Sequence, residues 1–179
     1  MPYHPLLPLL ALALAGCGAA TSSLPTQRPV VADAGPEYRR AVDTLGQAEA
    51  VPGTLDQVWQ ALPAVYQELG LRVNEVDPRA RRVGVRTQRL MRDAGSTRLS
   101  VYLDCGSGLT GPHADEYRVT LTAISTVVPT GAKPTVATAV LAEAVDPSGS
   151  ASDRIGCTTT GRLEYAILTR LKQKLGGER

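Results

Sequence analysis

The chain has 179 residues, of which 43% are hydrophobic, 20% charged and 4% aromatic, with no phenylalanine. A formal net charge of +2 gives the whole chain no strong electrostatic preference among partners. Apart from one N-terminal stretch the composition excludes disorder, and the core has to be assembled from Val, Leu, Ile and Ala.

The apolar run Leu6–Leu14, LLPLLALAL, is about half the ~20 residues that a membrane-spanning helix requires. It suits the hydrophobic region of an export signal. Met1–Pro5 carries no Lys or Arg, so the usual positive charge falls to the α-amino group or to residues upstream of the given start. Leu14-Ala15-Gly16-Cys17 resembles the lipobox of bacterial lipoproteins: an aliphatic residue, two small residues and a cysteine. That resemblance implies a signal peptide over 1–16, cleavage before Cys17, a thioether-linked lipid on its sulfur and acylation of the new amino group. Each buried CH₂ of such chains contributes roughly 0.8 kcal/mol of membrane binding. It places the protein in the cell envelope, and Gly18 in place of an Asp leans toward the outer membrane of a two-membrane cell. The rival reading is an ordinary secretory signal in which Cys17 is incidental.

Gly18–Pro36 is rich in Ser, Thr, Pro and Ala and short of large apolar residues. Residues 17–45 are therefore expected to be the lipidated cysteine and a flexible tether, and 46–179 a single domain.

Within the domain, TLDQVWQALPAVYQEL over 54–69 places Leu55, Val58, Trp59, Leu62, Val65, Tyr66 and Leu69 at helical spacings. Thr54 and Gln57 form a capping-box pair, Gly70 is a stop and Pro63 predicts a kink. Strands are expected around Leu71–Val73, after a turn at Asp77-Pro78-Arg79-Ala80 around Val83–Val85, and over Leu99–Leu103 with Cys105 on the same face. A longer one is expected from Tyr117 to Val128. Pro129, Gly131 and Pro134 should break it before Thr135–Val145, which Asp146–Gly149 ends. The spacing of Leu163, Ile167, Leu171 and Leu175 predicts a last helix over 162–175, stopped by Gly176-Gly177. The order predicts an α+β fold: a curved antiparallel sheet of about five strands with two helices packed on one face. It resembles helix-grip folds and, distantly, the lipoprotein C component of the outer-membrane β-barrel assembly machine. The latter likeness rests on lipobox, tether and element order alone.

Cys105 and Cys157 remain after Cys17, and an exported domain favours their pairing as a disulfide. Closing a loop of that length contributes roughly 4 kcal/mol in the chain-entropy model. A metal site or a cysteine nucleophile would recruit His113 instead, but the spacing carries no zinc motif. Gly106–Gly111, GSGLTG, matches a dinucleotide-binding pattern without the helix that should follow it, and reads as a hairpin loop. Asp104 and the Asp115-Glu116 pair have the residue types for acid–base work but no spacing that unites them, and a surface role is expected. Arg79, Arg81, Arg82, Arg86, Arg89, Arg92 and Arg98 stand against one acid, Asp93, a local charge of +6. They make either a solvated hairpin or a patch for an anionic partner: phospholipid headgroups, cell-wall polymer or an acidic protein face.

The expectation is a non-catalytic envelope lipoprotein, an interaction or assembly module held to the membrane by its lipid, with no cofactor, no metal and no nucleic-acid partner. One alternative is a hydrophobic-ligand binder whose cavity is left by Ala137, Ala139, Ala142 and Ala144. A third reading is an enzyme that uses Cys105, His113 and Cys157.

Overall fold

The structure, a computed structural model, describes residues 48–149 and 154–176. The signal, Cys17, the tether and Gly177 lie outside the described residues. Helix α1 (Leu55–Glu68) starts where the sequence places it. The Thr54 hydroxyl accepts the Gln57 N–H while the Gln57 side chain accepts the Thr54 N–H, so two donors at the helix start are satisfied together. It ends in a Schellman turn: the Gly70 N–H donates to Gln67 O and the Leu71 N–H to Tyr66 O, with Gly70 at φ +74°. A Cβ on Gly70 would lie 2.1 Å from the Gly95 nitrogen, so this end of the helix rests backbone-to-backbone on a turn of the sheet.

The strands are β1 (Glu49–Ala50), β2 (Glu75–Asp77), β3 (Arg82–Met91), β4 (Asp93–Ala94) and β5 (Thr97–Arg98). They continue with β6 (Leu103–Asp104), β7 (Arg118–Thr130), β8 (Lys133–Val145) and β9 (Arg154–Thr159). Three further helices are α2 (Leu99–Tyr102), α3 (His113–Glu116) and α4 (Arg162–Gly176). All pairings are antiparallel, in the order β5-β4-β3-β7-β8-β9-β6, with β1 added to β8 and β2 to β3. The α+β class and the antiparallel sheet are those the sequence predicts. The strand count is higher than five, because β9 (RIGCTT) carries few apolar residues and several other strands are only two residues long.

α1 and α4 pack against each other and cover one face of the sheet. Val58, Leu62, Val65 and Tyr66 from α1 meet Leu163, Ile167, Leu168 and Leu171 from α4. Beneath them lie Val119, Leu121, Val136 and Val140 of the long β7–β8 hairpin. The Tyr66 hydroxyl bonds Ser125 Oγ at 2.8 Å, and Ser125 Oγ bonds Thr138 Oγ1 at 2.7 Å, so these three hydroxyls buried in the core satisfy one another.

Three expected elements differ. Leu71–Val73 is not a strand, because the Leu71 N–H is used to close α1. Leu99–Leu103 is mostly one helical turn. Leu99, Tyr102 and Leu103 are the buried residues, and the Asp115 carboxylate accepts both the N–H and the hydroxyl of Ser100. Spacings of two and of three or four were both present there, and the carboxylate decides between them. Pro129 and Pro134 do not break the sheet. They face each other across the hairpin, where neither has to donate, and Gly131 at φ +59° makes the turn. The four alanines do not line one cavity: Ala142 and Ala144 belong to the helix-covered core, while Ala137 and Ala139 fall on the opposite face.

Candidate functional site

β3 carries one residue too many for its partner. Val85 pairs with Ala123 and Gln88 with Leu121, so Arg86 and Thr87 bulge from the ladder. Thr87 takes φ +54°, and its N–H donates to Thr122 Oγ1. The N–H and carbonyl of Arg86 are both met by one side chain. Asn74 accepts the Arg86 N–H at 2.6 Å and donates to Arg86 O at 2.9 Å, replacing the partner strand that β2 does not extend to provide. Gln88 then clamps the chain after α1, accepting the Arg72 N–H at 2.8 Å and donating to Gly70 O at 3.3 Å. Between these segments lies an open groove of about 600 Å³, with Arg72, Val73 and Asn74 on one wall and Thr87, Gln88 and Arg89 on the other.

The seven arginines of the basic run divide into two groups. Arg82 pairs with Asp77 at 2.9 Å, Arg86 holds Glu75 through two nitrogens at 3.1 and 3.0 Å, and Arg98 lies 3.6 Å from Asp115. The Arg86 hydrogen bond holds the Glu75 carboxyl below its ordinary pKa. The N–H of Ala80, helped by Arg82, does the same for Asp77. Arg79, Arg81, Arg89 and Arg92 form no ion pair with a carboxylate among the described residues. Arg79, Arg89 and Arg92 are exposed. Arg79 and Arg81 sit in the β2–β3 turn and Arg89 lies in the groove. Arg72, seven residues ahead of the run, joins Arg89 there. Its position as the polar residue between Leu71 and Val73 gave no hint of this, because its place is set by the Gln88 clamp.

The cysteines are a bonded pair, Cys105 and Cys157, whose sulfurs are 2.02 Å apart. The register explains the pairing. Leu103 faces Thr159 and Asp104 faces Thr158, so the next two positions stand opposite each other, 4.2 Å apart at Cα. His113 is not brought to a free thiol. Its ring stacks on Tyr117 at 4.4 Å and 7°, and a Cβ on Gly108 would lie 3.0 Å from its Nε2, so the GSGLTG loop wraps it closely. Partial burial and then the Asp146 carboxylate push the Tyr117 phenol above its ordinary pKa.

Of the carboxylates expected at the surface, Asp115 is instead buried and accepts from Ser100. Asp104 is exposed and accepts the Gly106 N–H, and the half-buried Glu116 accepts from the Thr110 hydroxyl. Among the described residues no group of three or more His, Cys, Asp or Glu could hold a metal ion, and no helix is long and apolar enough to cross a membrane. The groove and its flanking arginines present guanidinium and amide donors, which suit an anionic oxygen-rich group. No protein-family model, no curated protein and no solved structure matches this chain.

Proposed function

We propose that this chain is a lipid-anchored protein of the cell envelope whose domain is a non-catalytic interaction module. It meets an anionic, phosphate-bearing envelope surface through the basic edge around Arg72 and Arg89. The observation that carries this reading is the division of the arginines. Three are neutralised within the fold, while Arg72, Arg79, Arg81, Arg89 and Arg92 are left along one edge without a described carboxylate. Arginines spent on internal pairs serve the fold, and arginines left over serve an external partner. The lipobox-like Leu14–Cys17 supplies the anchor, and the Cys105–Cys157 pair suits an oxidising compartment. The antiparallel sheet with α4 laid across one face is read as a helix-grip-like arrangement, used here for docking.

Two measurements test this. Mass spectrometry of the mature protein should find Cys17 at the N-terminus carrying lipid, and Cys17→Ser should release the protein from membranes. The lipid-free domain should co-sediment with phosphatidylglycerol vesicles and not with phosphatidylcholine vesicles, in a salt-sensitive way. Each Arg near such a surface contributes about 1 kcal/mol, so Arg72→Glu with Arg89→Glu should abolish the binding. Binding that survives this charge reversal, or an unmodified Cys17 still joined to Gly16, would refute the proposal.

A further inference from the structure

The sheet face turned away from α1 and α4 changes character along the β7–β8 hairpin. Strand alternation puts Arg118, Thr120 and Ile124 of β7 on it, opposite Val145, Glu143 and Ala139 of β8. Ile124 and Ala139 are buried, whereas Arg118 and Glu143 are exposed. The register carries the open end onto both flanking strands. Met91 of β3 faces Arg118 and Arg154 of β9 faces Val145, so one row across the sheet reads Met91, Arg118, Val145, Arg154. Arg89 of β3 stands in the next row, opposite Thr120.

Met91 is 54% exposed, one of four large apolar side chains so open to solvent among the described residues. Facing positions on neighbouring strands bring Cβ atoms to about 5 Å, and positions two apart on one strand are about 7 Å apart. Met91 therefore has Arg118 on one side and Arg89 along its own strand, and Arg92 follows it in the turn. None of these three arginines is paired with a carboxylate among the described residues. Two acids lie close by: Glu143, which Arg154 holds at 3.1 Å, and Asp93, which the register sets beside Met91. The cations remain in surplus, so charge complementarity selects an anionic partner. A protein interface keeps charge away from its centre. Here Arg118 occupies the centre, between Met91 and Val145. An anionic bilayer suits that arrangement: phosphates meet each guanidinium, arginine stems lie along the apolar side chains, and an unbranched apolar chain reaches past the headgroups.

We propose that the open end of this face, centred on Met91 and Arg118, is the surface that lies against an anionic phospholipid bilayer, with Met91 inserted below the phosphates that Arg89 and Arg118 contact. The inference rests on the membrane-surface reading above and gives it an orientation. Arg89 belongs both to the groove at the edge of β3 and to this face, so the domain meets the bilayer along β3 and the sheet, and α1 and α4 point away from it. Arg118, 20 residues beyond the basic run, then serves the same contact.

Fluorescence on the chain from residue 17, with Cys17→Ser so that no lipid anchors it, tests the orientation. A polarity-sensitive label is attached through Met91→Cys or, as a control, through Tyr165→Cys, which is exposed on α4. Phosphatidylglycerol vesicles should shift the emission at position 91 to the blue and shield it from acrylamide, and should leave position 165 in water. In co-sedimentation, Arg118→Glu should weaken binding about tenfold and flatten its salt dependence. Met91→Ser should weaken it about fivefold with the salt dependence unchanged, the mark of lost apolar insertion. The label at position 91 gives its answer even where a variant fails to fold. Vesicle binding that leaves position 91 in water would overturn this orientation and keep the basic edge, while absence of vesicle binding would overturn both. A blue shift with soluble polyglutamate as large as with vesicles would assign the face to an acidic protein, and would overturn the proposal as well.

Discussion

The regular half of the domain and the segment from Arg92 to Tyr117 are held together by different means. In the regular half, α1, α4 and the β7–β8 hairpin bury aliphatic stripes against one another over long, unbroken periods. From Arg92 to Tyr117 the elements run from two to four residues. Their order comes from discrete links: the Asp115 carboxylate on Ser100, the Cys105–Cys157 bond, the Thr160 hydroxyl on the carbonyl of Val101, and the His113–Tyr117 stack. Burial spread over many side chains loses little when one contact changes. An irregular segment depends on a few links, each of which matters more.

The disulfide tests this contrast with the largest expected effect. Reducing it, or making Cys105→Ser with Cys157→Ser, should lower stability by about 4 kcal/mol in the chain-entropy model. Exchange should accelerate first in residues 99–117 and β9, with α1 and β7 slower to follow. Uniform acceleration across the domain would show that the two regions form one cooperative unit. Next in size is Leu62→Ala in the regular half, where a fully buried side chain of α1 is truncated. It should cost about 3 kcal/mol, and chemical denaturation should show the loss without a selective opening of residues 99–117.

The same contrast decides what the sequence makes legible. α1, α4 and the first part of β7 show their period, and β8 reads as a β-branched and Ala-rich run, so class and element order follow from the sequence, while β8, buried on both faces, does not tell which face the helices cover. Thr54 and Gln57 even mark the residue at which α1 begins. The segment around Leu99 misleads because Leu99, Val101 and Leu103 satisfy a strand while Leu99, Tyr102 and Leu103 satisfy a helical turn. The arbiter, Asp115, lies 15 residues away. The groove is hidden for the same reason. The Arg79–Arg98 run is plain in the sequence, but which arginines are neutralised depends on Asp77, Glu75 and Asp115, and Arg72 reaches Arg89 only through the Gln88 clamp. Cys105 and Cys157 were pairable by compartment, and the strand register that sets them side by side is a tertiary fact.

The smallest expected effect belongs to the basic edge, where the β2–β3 hairpin relies on one exposed and one partly buried charge pair. Asp77 accepts the N–H groups of Arg79 and Ala80 and pairs with Arg82, and Glu75 is held by Arg86. Both carboxyls titrate lower in the folded protein than in the unfolded chain. The unfolded chain therefore takes up protons first as pH falls. The stability these groups contribute is fully present above their unfolded pKa, around pH 4 to 5, and is lost as pH falls through the folded values. Exchange protection of residues 75–85 should fall below about pH 4 while that of α1 holds, and Asp77→Asn with Glu75→Gln should flatten this dependence. Because the Glu75–Arg86 pair lies near water, added salt should shrink its part of the effect further. An acid response of the hairpin that the double variant leaves unchanged would mean that its order comes from the β3–β7 ladder, and that the paired arginines are as available to a partner as the unpaired ones.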